Sequence, residues 1–394
     1  MPESDVPGET RRVALATIAR EWGRIGCIGF GGPPTHILLL RRLCVEDRNW
    51  LSAGEFEDGI AATNLLPGPA STQLAIYSAW RLRGTVGALI GGLCFIVPGL
   101  ILILILSAVF LAEHPPLAVA GAAAGAGAAV PAVALQASIG LMPASWRRAG
   151  PATSARARWV LYALAGGASA ATIGPWLVLV IAACGLIEVT ARARPPGPAG
   201  PPTPAVFPFA LATGAATVGG LGAVAWVAFK VGALSYGGGF VIIPLMQHDV
   251  VNTYHWMTNS RFLTAVALGQ ITPGPVVQTV PAVGYAAGGV GAGLVAAVCA
   301  FTPSFAFVLA GGPHFDRLRA DQRVQAFLTG AGAAAIGAIA GSAIPLSRAL
   351  AHPWQAGVLA AALVWLVALR RGVVPALTGA AVVGIIAALA GAPT

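Results

Sequence analysis

The chain has 394 residues, of which 57% are hydrophobic and only 9% are charged, with a net charge of +9 and a mean hydropathy of +0.78. A soluble domain carries about 25% charged residues, so this composition excludes a water-exposed globular surface. The positive charges are not interleaved with aromatic residues, and they indicate the basic loops of a membrane protein rather than nucleic-acid binding.

Four long stretches contain no Asp, Glu, Lys or Arg: 86–112, 114–146, 159–187 and 262–315. A helix that crosses a bilayer needs about 20 apolar residues. Helices satisfy their own backbone hydrogen bonds in lipid. The sequence therefore predicts an all-α polytopic membrane protein with about 10–13 spans, surrounded by the lipid bilayer.

The first half has two interruptions in its apolar pattern. One is a glycine-rich segment, GFGGPPTH at 29–36, and the other is the PGP tripeptide at 67–69. Proline removes an amide donor and restricts the residue before it, so both segments predict broken or re-entrant helices. A helix that begins inside the membrane offers unpaired amides and a positive dipole end to an anion. Hydroxyl and amide side chains follow the tripeptide directly, at Ser71, Thr72 and Gln73.

Three titratable residues lie near these interruptions in the first half. They are His36, Glu57 and Asp58. Proton coupling needs a group that changes its protonation state, so these residues are the candidates for that role. The alternative is that each occupies a loop or an interfacial position.

A Pro/Gly-rich linker at 191–204 divides the chain, and the two sides of it repeat with a constant spacing of 206 residues. We therefore predict a first repeat at 1–190 and a second at 205–394. The matched positions pair Arg24 with Lys230, GCIGFGGP (26–33) with GALSYGGG (232–239), Asn64 with Gln270, and the PGP at 67–69 with the PGP at 273–275.

Loop charges predict that the two repeats are inverted. Arg81 and Arg83 match an uncharged segment at 286–290, whereas the basic segment 314–323 matches the acidic EHPP of 113–116. Because basic loops tend to be cytoplasmic, equivalent loops lie on opposite sides. The basic start of the linker leaves two alternatives: one long span over 159–189, or an extra crossing within 205–235.

Matching breaks in inverted repeats indicate the substrate site. Arg24 and Lys230 would together suit a dianion, with an interfacial, snorkelling Arg24 as the alternative. Asn64 and Gln270 are either ligands or caps of the broken helix ends. The predicted substrate-binding residues are Arg24, Gly29, Phe30, Gly31, Gly32, Asn64, Pro67, Gly68, Pro69, Ser71, Thr72, Gln73, Lys230, Ser235, Tyr236, Gly237, Gly238, Gly239, Gln270, Pro273, Gly274 and Pro275.

These motifs resemble the chromate ion transporters of bacteria in their long, two-domain form. The resemblance rests on FGGPPTHI (30–37), LPGPASTQLAIY (66–77), GALSYGGGFVIIPLM (232–246) and ITPGPV (271–276). It implies a multi-pass inner-membrane protein that exports chromate by the proton-motive force and confers resistance. It also implies that the motif residues form the substrate path. The second half departs from the first in having Gly239 where Pro33 stands and no histidine matching His36.

The residues and the resemblance together predict a secondary active exporter of chromate, in which one half rocks against the other. Proton-coupled transport of sulfate or another small oxyanion is the alternative within transport, and a passive anion channel is the alternative of another class. An intramembrane enzyme would need a cluster of His, Asp or Cys in the spans, and the ATP-binding motif GxxxxGK[ST] is absent from the sequence. We expect no metal, no cofactor and no nucleic-acid partner, and we leave a homodimer open.

Overall fold

The computed structural model describes residues 13–64, 66, 68–172, 176–193, 220–235, 242–311, 317 and 320–394. Across these ranges the chain forms fourteen α-helices and no β-strand, which confirms the all-α prediction. Among the predicted site residues, Pro67 and the segment from Tyr236 to Gly239 lie outside the described residues, and so does the predicted linker after residue 193.

The helices of the first half are α1 (Leu15–Ile28), α2 (Pro33–Arg41), α3 (Ala53–Thr63), α4 (Ala70–Phe110), α5 (Leu117–Ala149), α6 (Thr153–Thr172) and α7 (Leu177–Arg192). Those of the second half are α8 (Leu221–Leu234), α9 (Ile242–Gln247), α10 (Asn259–Ile271), α11 (Thr279–Gly311), α12 (Gln322–Arg348), α13 (Pro353–Leu363) and α14 (Val373–Leu389). Four described segments are long and apolar enough to cross a membrane: α4, α5, α12 and the segment Val276–Gly311 that contains α11.

Gly68 and Pro69, the described residues of the first PGP tripeptide, lie at the tip of a helical hairpin. Helix α4 bends sharply at Arg83 and Gly84, so its first part ends there. Glu55 of α3 pairs with Arg81 of α4, and a Cβ on Gly59 would stand 2.6 Å from the Tyr77 ring. The two helices therefore run antiparallel and return to the same end, as a re-entrant pair does.

The repeat extends from sequence to backbone conformation, with the spacing found in the sequence. A π-helical turn follows α2 at Arg42–Asp47, and another follows α9 at His248–Thr253. Asn49 and His255 both have positive φ angles, of 49° and 53°. The next helix in each half begins at a hydroxyl cap, Ser52 in the first and Thr258 in the second.

The helices pack as two units, and each unit takes helices from both halves. One unit, here called the broken-helix unit, contains α1–α4 and α8–α11, with α4 and α11 in direct contact. The other, the scaffold unit, contains α5–α7 and α12–α14. Within the scaffold unit, α5 packs mainly on α14 and α12 packs mainly on α6, so each helix is held by the opposite half.

Small residues make these crossings between the halves very close. A Cβ placed on Gly337 of α12 would overlap the carbonyl oxygen of Ala163 in α6, and one on Gly384 of α14 would overlap that of Gly121 in α5. Small residues at helix contacts allow such backbone approach in membrane proteins. The atoms that an added Cβ would meet belong to the backbone, which cannot change rotamer to make room as a side chain can.

Gly337→Ala is therefore expected to destabilise the protein by about 1–3 kcal/mol, the usual effect of overpacking a tight contact. The thermal unfolding temperature in detergent measures it. Gly379→Ala is the matched control, because a Cβ there meets nothing within 4 Å. Equal unfolding temperatures for the two variants would contradict the close crossing of α12 and α6.

The region 159–189 is a helical hairpin, so the alternative of one long span is wrong. Arg158, near the start of α6, donates to Glu188, near the end of α7, at 2.7 Å. Arg192 binds the same carboxylate at 2.6 Å. The start of α6 and the end of α7 thus lie at one end of the scaffold unit, together with the start of the linker.

Candidate functional site

Each PGP turn binds the glycine-rich break of the opposite half. The amide of Gly68 donates to the carbonyl oxygen of Ser235 at 2.7 Å, and the amide of Gly274 donates to that of Gly29 at 3.0 Å. The two donors are matched positions of the repeat, and so are the two acceptors. The breaks of the two halves therefore meet in two equivalent contacts, Gly68 with Ser235 and Gly274 with Gly29. We call them the crossed contacts, because each joins the PGP turn of one half to the glycine-rich break of the other.

His36 joins three of these elements from a fully buried position. Its Nε2 lies 2.8 Å from the carbonyl oxygen of Gly29, and its Nδ1 lies 3.2 Å from the hydroxyl of Ser71. The Gly29 oxygen also accepts the amide of Gly274, since a carbonyl oxygen has two lone pairs. In the neutral ring, Nε2 donates to Gly29 and Nδ1 accepts from Ser71.

Several buried polar atoms around the breaks find no hydrogen-bond partner among the described residues. They are Thr72 Oγ1, Ser235 Oγ, Gln270 Nε2, Gln278 Oε1 and Ser304 Oγ. An unsatisfied buried polar group costs about 1–3 kcal/mol, so native proteins pair such atoms with protein or water. Their presence on the segments that form the breaks indicates that polar groups are available there for a polar ligand.

The helix starts at the two first-half breaks differ in what they offer an anion. Helix α4 begins at Ala70, which lines the cavity described below, and the first amides of a helix have no intrahelical acceptor. Helix α2 begins with Pro33 and Pro34, which have no amide hydrogen, and its next amides bond to the Gly32 carbonyl. The prediction that both breaks present free amides is therefore wrong for α2.

A cavity of about 1160 Å³ lies between the two units. The broken-helix unit contributes residues of the first glycine-rich segment and of the α3–α4 tip. The scaffold unit contributes one face each of α5 and α12 and the start of α14. Among the predicted site residues, the cavity is lined by Phe30, Gly31, Asn64, Gly68 and Gln270. Asn64 and Gln270 are equivalent positions of the two repeats, and the cavity brings them to one space.

The polar lining of this cavity is cationic, amide or hydroxyl. It comprises Arg147 and Arg148 at the end of α5, together with Thr35, Thr63, Asn64, Gln136, Gln270 and Gln325. None of the described lining residues is acidic. Guanidinium and amide groups donate hydrogen bonds to oxyanions, whereas a carboxylate would repel them. The lining suits a small oxyanion.

The structure does not bring the predicted dianion cradle of Arg24 and Lys230 to the cavity, and each of these cations lies beside an acidic residue. The Arg24 side chain is 71% exposed and lies 3.8 Å from Glu21. Lys230 is largely buried and pairs with Asp249, which lies in the π-helical turn after α9. Neither cation lines the cavity.

The three proton-coupling candidates differ in burial: Glu57 and Asp58 are exposed, whereas His36 is buried. Glu57 lies on an exposed face of α3, 62% exposed and 3.6 Å from Arg41, and Asp58 is also exposed. His36 is the candidate for which the structure gives hydrogen bonds at a break, to Gly29 and Ser71. The remaining predicted residues within the described ranges are not part of the cavity lining (Gly29, Gly32, Pro69, Ser71, Thr72, Gln73, Ser235, Pro273, Gly274, Pro275).

The sequence reading missed the scaffold side of the cavity. Gln136, Gln325 and the Arg147–Arg148 pair carry no motif, and α5 and α12 read as ordinary apolar helices. One signal was present: Gln136 is an amide within the uncharged stretch 114–146, and polar residues inside spans usually face a bundle interior or a cavity.

Comparisons with known proteins find one family over most of the chain. The family model for chromate transporters matches residues 16–189 and 202–392. The chain is 31% identical to the chromate transport protein of Cupriavidus metallidurans, over 82% of this chain and 80% of that protein. It is 30% identical to the chromate transport protein of Pseudomonas aeruginosa, over 84% and 80%, and 27% identical to a probable chromate transport protein of Synechococcus elongatus, over 86% of each. No solved structure matches the chain.

Proposed function

The chain belongs to the chromate transporter family, and on this premise we propose that it exports chromate from the cytoplasm, driven by the proton-motive force, and so confers chromate resistance. The family is one of transporters, and the chain is a multi-pass inner-membrane protein. We propose that it acts as a transporter and not as an enzyme.

The observation that carries this proposal is the cavity between the units, whose described polar lining is cationic, amide or hydroxyl and contains no acidic residue. Chromate is a tetrahedral dianion with four oxygen acceptors, and the arginine and amide groups supply matching donors. Sulfate has the same shape and charge, so transport of sulfate remains the alternative. The relatives named as chromate transport proteins favour chromate.

We place the deep part of the substrate site at the tips of the broken helices. Asn64 and Gln270 would donate amide hydrogens to the anion, and the first amides of α4 would add the positive end of a helix dipole. A substrate here would lie directly against Gly68, whose amide holds the opposite half. Substrate binding could therefore shift the Gly68 backbone and change its hydrogen bond to Ser235.

We propose that alternating access moves the broken-helix unit against the scaffold unit. We do not propose that one sequence half rocks against the other. Helices α5 and α12 each pack against helices of the opposite half, and their backbones lie too close together at these contacts for the halves to move apart easily. The contacts between the two units are fewer than the contacts within each unit, and the largest group of them joins α5 to α10. The cavity lies along this weaker boundary, where relative movement would open or close it.

Uptake of labelled chromate by everted membrane vesicles tests the proposal. We expect saturable accumulation against the gradient, abolished by an uncoupler, from vesicles that contain the protein. Vesicles without the protein are the control. Saturable uptake of sulfate with none of chromate would favour the alternative substrate, and non-saturable flux that never exceeds equilibrium would identify a channel.

A further inference from the structure

The two halves differ at one end of the cavity. Helices α5 and α12 are counterparts, since each packs against the last two helices of the opposite half. Helix α5 has 33 residues, from Leu117 to Ala149, and α12 has 27, from Gln322 to Arg348. The additional length of α5 lies at its C-terminal end, and this extension carries Arg147 and Arg148.

The extension is a firmly built part of the scaffold unit. Trp159 of α6 donates its indole N–H to the buried hydroxyl of Ser145 at 2.9 Å, and its ring meets that of Trp146 edge-on at 5.1 Å. Arg192 donates to the carbonyl oxygen of Ala149 at 3.3 Å while it holds Glu188. These contacts fix the backbone from which the two arginines extend.

Arg147 and Arg148 are exposed and line the cavity. Within the part of the chain that the structure describes, neither has a carboxylate within ion-pair distance, unlike Arg158 and Arg192 beside them. Helix α5 also places Gln136 on the cavity, roughly three helical turns deeper along its axis than Arg148. One helix face thus leads from a pair of unneutralised cations toward the amide-lined interior.

We propose that Arg147 and Arg148 form a capture site for divalent oxyanions at one mouth of the cavity only, so that loading is favoured from that side. The proposal rests on the proposed transport function. Arg156, Arg158 and Arg192 gather at the same end, and such a basic end is cytoplasmic. Helix α12 ends before the corresponding turns, and Pro353 and Trp354 stand at the positions that match Arg147 and Arg148, so the second half lacks this pair. Capture from the cytoplasm is the asymmetry that an exporter uses.

The test compares the two faces of the membrane. In everted vesicles, the double variant Arg147→Gln with Arg148→Gln should raise the KM for chromate about tenfold or more, because fixed charge at a cleft raises local anion concentration and capture rates by 10–10³. The maximal rate should change little. In right-side-out vesicles, KM should stay unchanged. Arg147→Lys with Arg148→Lys should restore most of the affinity, since Lys keeps the charge.

Arg156→Gln is the control for loss of a nearby positive charge, because Arg156 is exposed, lies over Trp146 at the same end and is not part of the cavity lining. An unchanged KM in everted vesicles, or an equal rise on both faces, would overturn the proposal. Chromate quenching of tryptophan fluorescence in the purified protein supplies a second readout. If the wild type moves no chromate, the proposed function fails, and a weaker Kd in the double variant alone would still support the capture site.

Discussion

Gly274→Val is expected to reduce chromate transport more than 100-fold at matched protein levels. Gly274 has a φ of +94°, a conformation that L-residues adopt at a cost of about 1–3 kcal/mol and β-branched residues adopt least readily. Relief of that strain would rotate the amide that donates to Gly29. The second PGP turn would then lose its hydrogen bond to Gly29 in the first glycine-rich segment, the residue whose carbonyl oxygen also binds His36.

The equivalent replacement Gly68→Val should have a similar effect. Gly68 has a φ of +126°, and a Cβ there would overlap the side-chain amide nitrogen of Gln73. Gly291→Val is the control, because Gly291 lies in α11 with open space around its Cα and without a positive φ. Labelled chromate uptake in vesicles measures all three. Normal transport by Gly274→Val would show that the crossed contacts are dispensable.

The sequence predicted what depends on local chain chemistry. Proline and glycine dictate backbone breaks wherever they fall, so the PGP tripeptides and the glycine-rich segments were identifiable without a fold. The constant spacing of the repeat then paired Asn64 with Gln270, and the structure brings both to one cavity. The repeat also marked the matched breaks as the substrate site, and the structure adds that breaks of opposite halves are in contact.

What the sequence left undetermined depends on contacts between distant parts of the chain. Lys230 was identifiable as a cation in an apolar helix, but its partner Asp249 lies beyond the glycine-rich break. The exchange of α5 and α12 between the halves leaves no mark in a repeat, since each half contains the same helices whichever partner holds them. The scaffold side of the cavity was missed for that reason.

His36→Gln is expected to separate chromate movement from the proton gradient. Glutamine can keep hydrogen bonds to the Gly29 carbonyl and the Ser71 hydroxyl, but it cannot bind a proton at neutral pH. If His36 carries the coupled proton, uphill accumulation of chromate in everted vesicles should fall at least about tenfold. Exchange of labelled for unlabelled chromate needs no net proton movement, so it should persist.

The position of His36 is the reason for choosing it over the other candidates. A proton on the ring would turn Nδ1 from an acceptor into a donor, and the Ser71 hydroxyl would have to reverse its hydrogen bond. Ser71 lies at the start of α4, one residue from the cavity-lining Ala70. Protonation of His36 would therefore change the hydrogen bonding of Ser71, next to the proposed substrate site. The exposed Glu57 has no such connection, so Glu57→Gln should accumulate chromate as the wild type does. Undiminished accumulation by His36→Gln would assign the coupled proton to another group, whereas loss of both accumulation and exchange would make His36 a structural residue.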